Sequence, residues 1–149
     1  MDQRIIMIVE DNEDDIELAM RAFKRNHILN EVIVARDGVE ALDYLFGTGP
    51  HAGRDLCVMP EVVLLDLKMP RLGGLEVLRR IRSDERTKFL PVVVLTSSDE
   101  EKDMIDSYHY GVNSYIRKPV DFEQFTEAVR QLSLYWIVLN QCPRNSLCS

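Results

Sequence analysis

The stretch 62–70, VVLLDLKMP, decides the fold. Val62-Val63-Leu64-Leu65 is apolar at every position, where a half-buried strand would alternate, so it reads as a strand covered on both faces. Such a run should close on a turn residue, yet it closes on Asp66. A second run, IIMIVED (5–11), closes on Glu10 and Asp11 in the same way. Both acidic endings call for one explanation.

Outward from these runs, five β-rich segments alternate with amphipathic ones. The strands are expected at Arg4 to Val9, Glu31 to Ala35, Glu61 to Leu65, Val92 to Thr96 and Ser114 to Arg117. Helices are expected at about Asp14 to His27, Asp37 to Gly47, Gly74 to Ser83, Asp99 to Tyr110 and Asp121 to Asn140. Ile16, Ala19, Met20 and Phe23, like Phe122, Phe125, Val129 and Leu132, recur at helical spacing and form core stripes. The alternation predicts an α/β fold, a doubly wound parallel sheet with helices on both faces. Its first, third and fourth strands are apolar enough to be central. Phe46 to Glu61, FGTGPHAGRDLCVMPE, is rich in Gly and Pro and reads as a long insertion before the third strand.

With 149 residues, 46% of them hydrophobic, the chain fits one domain with a substantial core. Residues 1–141 are expected to form it and 142–149 a tail, leaving no room for an output domain. A formal charge of −7 with scattered Lys and Arg argues against nucleic-acid or anionic-membrane binding. No apolar stretch reaches the about 18 residues of a membrane span, and the start lacks the layout of a signal peptide, so a cytoplasmic protein is expected. Cys57, Cys142 and Cys148 pair with no histidine at metal-ligand spacing, and their odd number builds no disulfide framework.

In doubly wound sheets, ligands sit beyond the carboxyl ends of strands where the winding reverses. In the flavodoxin-like order 2-1-3-4-5, strands one and three are neighbours, so Glu10, Asp11 and Asp66 converge. Two like charges about 4 Å apart repel by ~4 kcal/mol at an effective dielectric near 20, so such a pocket needs a cation or must take up protons. Mg²⁺ suits this inventory, because it takes one or two carboxylates and completes its shell with water and phosphate oxygens.

The acid pair Glu10-Asp11, LLDLKMP around Asp66, VLTSS around Thr96, Tyr115, and Lys118-Pro119 stand in order at strand ends. Over residues 4 to 140 the chain resembles the receiver domain of two-component response regulators. The insertion, the RSDERTKFLPVVVLTSS pattern and the apolar YWIVLN resemble the stand-alone regulators that pair with bacterial and cyanobacterial phytochrome kinases. The resemblance implies a phosphoacceptor signalling domain and not a turnover enzyme. Asp66 would accept a phosphoryl group from a sensor histidine kinase. Asp11, Asp66 and the Lys68 backbone carbonyl would ligate Mg²⁺, with Glu10 acting through water. Lys118 and Thr96 would contact phosphoryl oxygens, Thr96 and Tyr115 would form the switch, and Lys68 and Ser98 would tune phosphate lifetime. The peptide before Pro119 stands where the family has a cis proline. The output surface would be the face of the fourth helix, fifth strand and fifth helix, where Tyr135, Trp136 and Leu139 extend an apolar patch suited to a homodimer or a kinase.

Simpler readings apply to single residues. Asp66 alone could cap a helix, Glu10 and Asp11 could belong to a solvated acidic turn, and Thr96 and Tyr115 could be ordinary strand residues. Asp14 and Asp15 read as first-turn acids favoured by the helix dipole. A Mg²⁺-dependent aspartyl phosphatase is the competing activity, although its acid/base Asp would stand two residues after the nucleophile, where this chain has Lys68. A pseudo-receiver that only binds a partner is a third reading, disfavoured by the full residue set.

Overall fold

The computed structural model describes residues 4–118 and 121–132. Its elements run β1 (Ile5–Val9), α1 (Glu13–Arg25), β2 (Glu31–Ala35), α2 (Gly38–Phe46), β3 (Val62–Leu65), α3 (Gly74–Ser83), β4 (Val92–Thr96), α4 (Glu101–His109), β5 (Ser114–Arg117) and α5 (Phe122–Leu132). The strands form one parallel five-stranded sheet of order β2-β1-β3-β4-β5, the flavodoxin-like arrangement expected from the alternation. Every residue of β1, β3 and β4 is buried, so the apolar runs do fill the centre of the sheet.

Strand periodicity divides the core in two. Met7, Val9, Val63, Leu65, Val92 and Val94 face α2 and α3, where Leu45, Val77, Leu78 and Ile81 meet them. Ile6, Ile8, Leu64, Val93 and Leu95 face α1 and α5, meeting Ile16, Phe23, Phe125 and Val129. Each fully buried aliphatic side chain contributes roughly 1.5–3 kcal/mol, so the two layers carry most of the stability.

Local chemistry sets the helix ends. The Asn12 side chain accepts from the backbone N–H groups of Asp14 and Asp15 at 2.9 and 3.2 Å and starts α1. It stops at Arg25 because Asn26 caps it and His27 adopts a left-handed φ of 57°. Asp37 caps α2 by accepting from the Glu40 N–H at 2.8 Å, and Gly47, with φ 67°, ends it.

Two arginines staple the loops. Arg54 stacks over the Tyr44 ring at 4.1 Å and donates to the carbonyls of Tyr44 and Val58, both at 2.7 Å, which folds the 46–61 connection against α2. Cys57 in this connection is disulfide-bonded. On the other side of the fold, the half-buried Arg82 donates to the carbonyls of Tyr110 (2.6 Å), Leu90 (2.7 Å), Lys88 (3.1 Å) and Gly111 (3.2 Å). It joins the end of α3 to the segments entering β4 and β5. Truncation would leave these carbonyls short of donors, so Arg82→Ala is expected to cost about 2 kcal/mol in urea unfolding. Arg82→Lys should recover only part of that loss, since an ammonium cannot span all four carbonyls.

Among the described residues no helix is long and apolar enough to cross a membrane. Tyr135, Trp136, Leu139, the Lys118-Pro119 peptide geometry and the proposed tail 142–149 lie outside the described residues.

Candidate functional site

The carboxyl ends of β1, β3 and β5 bring the expected residues together. Glu10 follows β1 and stays tied to the sheet through its N–H, which donates to the Ala35 carbonyl at 2.9 Å. The Asp66 N–H donates to the Val9 carbonyl at 3.0 Å, so the ladder between β3 and β1 continues through Asp66. Glu10 and Asp66 are each only 4% exposed, whereas Asp11 is open to solvent. Each of the three carboxylates offers an oxygen within 4.8 Å of the others.

Lys118 reaches this group because its N–H donates to the Thr96 carbonyl at 2.8 Å, extending the pairing of β4 and β5 by one residue. Its ammonium donates to Glu10 Oε1 at 2.5 Å, Asp15 Oδ2 at 2.7 Å and Asp66 Oδ2 at 3.4 Å. The side chain is only 12% exposed. Burial opposes its charge, but the hydrogen bonds to Asp15 and Glu10 and the field of Asp66 prevail and hold its pKa above the ordinary lysine range. Burial pushes Glu10 up to about 7, aided by the Asp66 charge and opposed by the hydrogen bond from Lys118. One ammonium therefore faces more negative charge than it can neutralise.

A divalent ion is the natural remedy. The donor set of Glu10, Asp11 and Asp66 is all oxygen, part buried and part open to water, which fits a hard cation that keeps some of its waters. At the rim, the Lys68 N–H donates to Asp66 Oδ1 at 3.1 Å, and its ammonium lies 3.7 Å from the Glu100 carboxylate. Behind Asp66, the chain returns to α3 with the Gly74 N–H donating to the Leu67 carbonyl at 3.1 Å. That return presses Gly74 against the Asp66 backbone.

Thr96 is fully buried at the end of β4, and its hydroxyl accepts from the Ser98 N–H at 3.3 Å. Ser98 is also buried, and its hydroxyl donates to Asp103 Oδ2 at 2.6 Å, anchoring the start of α4. The half-buried Tyr115 donates its hydroxyl to the Ser98 carbonyl at 3.4 Å. Thr96, Ser98, Asp103 and Tyr115 thus form a connected chain from the site to α4 and β5. Asp15, read from sequence as a dipole acid, instead grips Lys118. The signal was present in the spacing: Asp15, Ala19, Ala22 and Asn26 lie along one helical stripe that turns toward the sheet and α5.

The response regulator receiver domain model matches residues 6–130. The chain is 42% identical over 142 residues to the probable methanogenesis regulatory protein FilR2 of Methanothrix harundinacea, covering 95% of this chain and 89% of that one. It is 34% identical over 134 residues to response regulator Rcp1 of Synechocystis, covering 90% and 89%. The Mn²⁺-bound structure of Rcp1 superposes with a TM-score of 0.81 over 94% of this chain and 99% of that one. The phosphorylated cyanobacterial phytochrome response regulator RcpA superposes with a TM-score of 0.83 at 37% identity, over 95% and 99%. By family match, relatives and fold, this chain belongs to the response regulator receiver domains of two-component signalling.

Proposed function

We propose that this chain is a single-domain response regulator that takes a phosphoryl group onto Asp66 from a sensor histidine kinase, with Mg²⁺ held by Asp11 and Asp66 and Glu10 acting on it through water. The observation that carries the reading is the meeting of these three carboxylates with the Lys118 ammonium in one pocket. A phytochrome kinase is the favoured partner, given the likeness to RcpA. The match over 89% of the lengths of FilR2 and Rcp1 supports signalling through the receiver's own surfaces.

A carboxylate oxygen of Asp66 attacks the phosphorus of the donor, a P–O bond forms and the bond from phosphorus to the donor imidazole breaks. The imidazole nitrogen keeps the electron pair. Bound by Asp11 and Asp66, a divalent ion would supply positive charge to the carboxylate and phosphoryl oxygens. The Lys68 N–H holds Asp66 Oδ1 in place, Lys118 donates to a phosphoryl oxygen, and the buried Thr96 hydroxyl donates to another. The Lys68 carbonyl would complete the metal's protein ligands. Catalysis here is positioning and charge compensation.

Once Thr96 turns toward phosphate, its acceptor role for Ser98 is weakened and the chain through Tyr115 is free to shift. Moving a switch from about 1:99 to about 99:1 takes ~5.5 kcal/mol. Two or three charge-assisted hydrogen bonds of ~1.5–3 kcal/mol each supply that. The shift would be read on the face of α4, β5 and α5, where Ile105 and Tyr108 are already exposed, by a kinase, a target or a second copy. Ser98 and Lys68 stand at the positions that would govern water access to the phosphate and so its lifetime.

Acetyl phosphate with Mg²⁺ is expected to add one phosphoryl group to the wild type and none to Asp66→Asn, read by intact-protein mass. Equal labelling of both overturns the assignment. Steady hydrolysis of small phosphomonoesters would favour an aspartyl phosphatase instead.

A further inference from the structure

The Lys118 ammonium has three N–H bonds and three carboxylates to receive them, but the contacts are unequal. Glu10 and Asp15 take it at 2.5 and 2.7 Å, while Asp66, the proposed acceptor, holds it at 3.4 Å. Asp15 alone of the three stands on a helix, outside the proposed metal set. Asn12 fixes its backbone through the cap of α1, and Asp15 and Asp66 line the same small cavity with Ala19, Leu64 and Leu95. The lysine is therefore held closer to Glu10 and Asp15 than to Asp66, and every donor it has is already engaged.

We propose that Asp15 is a positioning residue that holds the Lys118 ammonium on the α1 side of the pocket and sets the cost of moving it to a phosphoryl group on Asp66. The inference rests on the reading of Asp66 as phosphoacceptor. A phosphoryl group there adds anionic oxygens that compete for donors already committed. The ammonium can turn to them only by releasing or sharing the bond to Asp15 or Glu10. Glu10 belongs to the metal-binding set and gains a second cation when the metal is present, so Asp15 is the partner left as the restraint. It keeps Lys118 ordered and inward while the site is empty of phosphate, and it lowers the affinity of the occupied state. An amide at this position preserves shape but gives up the charge, so the lysine transfers at lower cost.

Beryllofluoride with Mg²⁺ mimics an aspartyl phosphate, and its binding can be followed by ¹⁹F NMR. Four proteins are compared: wild type, Asp15→Asn, Lys118→Met and the double variant. Loss of one charge-assisted hydrogen bond to a competitor predicts that Asp15→Asn binds beryllofluoride about tenfold more tightly than wild type. In the Lys118→Met background the same change should alter affinity by less than about twofold, because Asp15 acts through the lysine. Unchanged or weaker binding by Asp15→Asn overturns the proposal. So does an equal gain in both backgrounds, which would mark a general charge effect. A wild type that binds no beryllofluoride overturns the receiver reading and this inference with it, an outcome separate from failure at Asp15 alone. Asp15→Ser serves as a second charge-free variant should the amide fail to fold, with the same result expected.

Discussion

Gly74→Ala is expected to destabilise the protein by about 3 kcal/mol and to impair phosphoryl uptake, although the substitution lies outside the pocket. A Cβ at Gly74 would stand 2.3 Å from the Asp66 carbonyl oxygen, 2.8 Å from Leu67 Cα and 3.0 Å from the Asp66 carbonyl carbon. All three atoms are backbone, so no side-chain rotation relieves the clash. Either α3 retreats and opens the core around Val77, Leu78 and Ile81, or the backbone bearing Asp66 shifts away from Glu10 and Asp11. The gain in helix propensity from Gly to Ala is at most about 1 kcal/mol and does not offset this. Gly73 provides the control, since its Cβ would meet only the Leu67 carbonyl oxygen at 3.5 Å, an ordinary contact. Gly73→Ala should change stability by no more than about 1 kcal/mol, the scale of an altered N-cap. Urea unfolding of both variants checks the contrast, and equal stabilities would refute the close approach.

The second large effect is a pH dependence centred on Glu10. Its pKa in the folded protein is raised from 4.5 to about 7, chiefly by burial. Between those values the folded state binds more protons at this group than the unfolded chain does. Unfolding free energy therefore falls as pH rises from about 4.5 to about 7 and levels off above, by roughly 3 kcal/mol from this group alone. Carboxylates held low act in a different window. The hydrogen bonds from Arg86 keep Asp84 below the ordinary range, and that contribution is lost only as pH falls below about 4. Metal-free wild type should thus be less stable at pH 8 than at pH 5, relative to Glu10→Gln, which has no proton to lose. A bound Mg²⁺ favours the ionised carboxylate, so adding Mg²⁺ should recover most of the loss at pH 8 and little at pH 5. Identical pH profiles for wild type and Glu10→Gln would contradict the burial of a strained acid here.

Which features were legible in the sequence follows from how local their causes are. The runs ending at Val9, Leu65 and Thr96 are apolar throughout because helices cover both sheet faces, so they revealed the parallel sheet and its central strands. Glu10, Asp11 and Asp66 stood out because a dry strand that ends on acids has few structural reasons to do so. Asp15 did not stand out, since the helix dipole already accounts for an acid in a first turn. Its grip on Lys118 depends on how the fold brings the residue after β5 to α1, 103 positions along the chain. Gly74 read as the start of the third helix, and its close contact with the Asp66 backbone is visible only in the fold. Arg54 and Arg82 were opaque for a related reason: both bind backbone carbonyls, and those carry no side-chain signature.

The central claim is that Asp66, and no other residue, carries the phosphoryl group. Borohydride reduces an aspartyl phosphate to homoserine, so it marks the acceptor in the chain itself. Treating the protein after acetyl phosphate and Mg²⁺, then mapping its peptides by mass spectrometry, should place homoserine at position 66 and only when Mg²⁺ is present. Conversion at Asp11 or Asp15, or a stable phosphate on His27, His51, His109 or Ser98 with position 66 unchanged, would contradict the account.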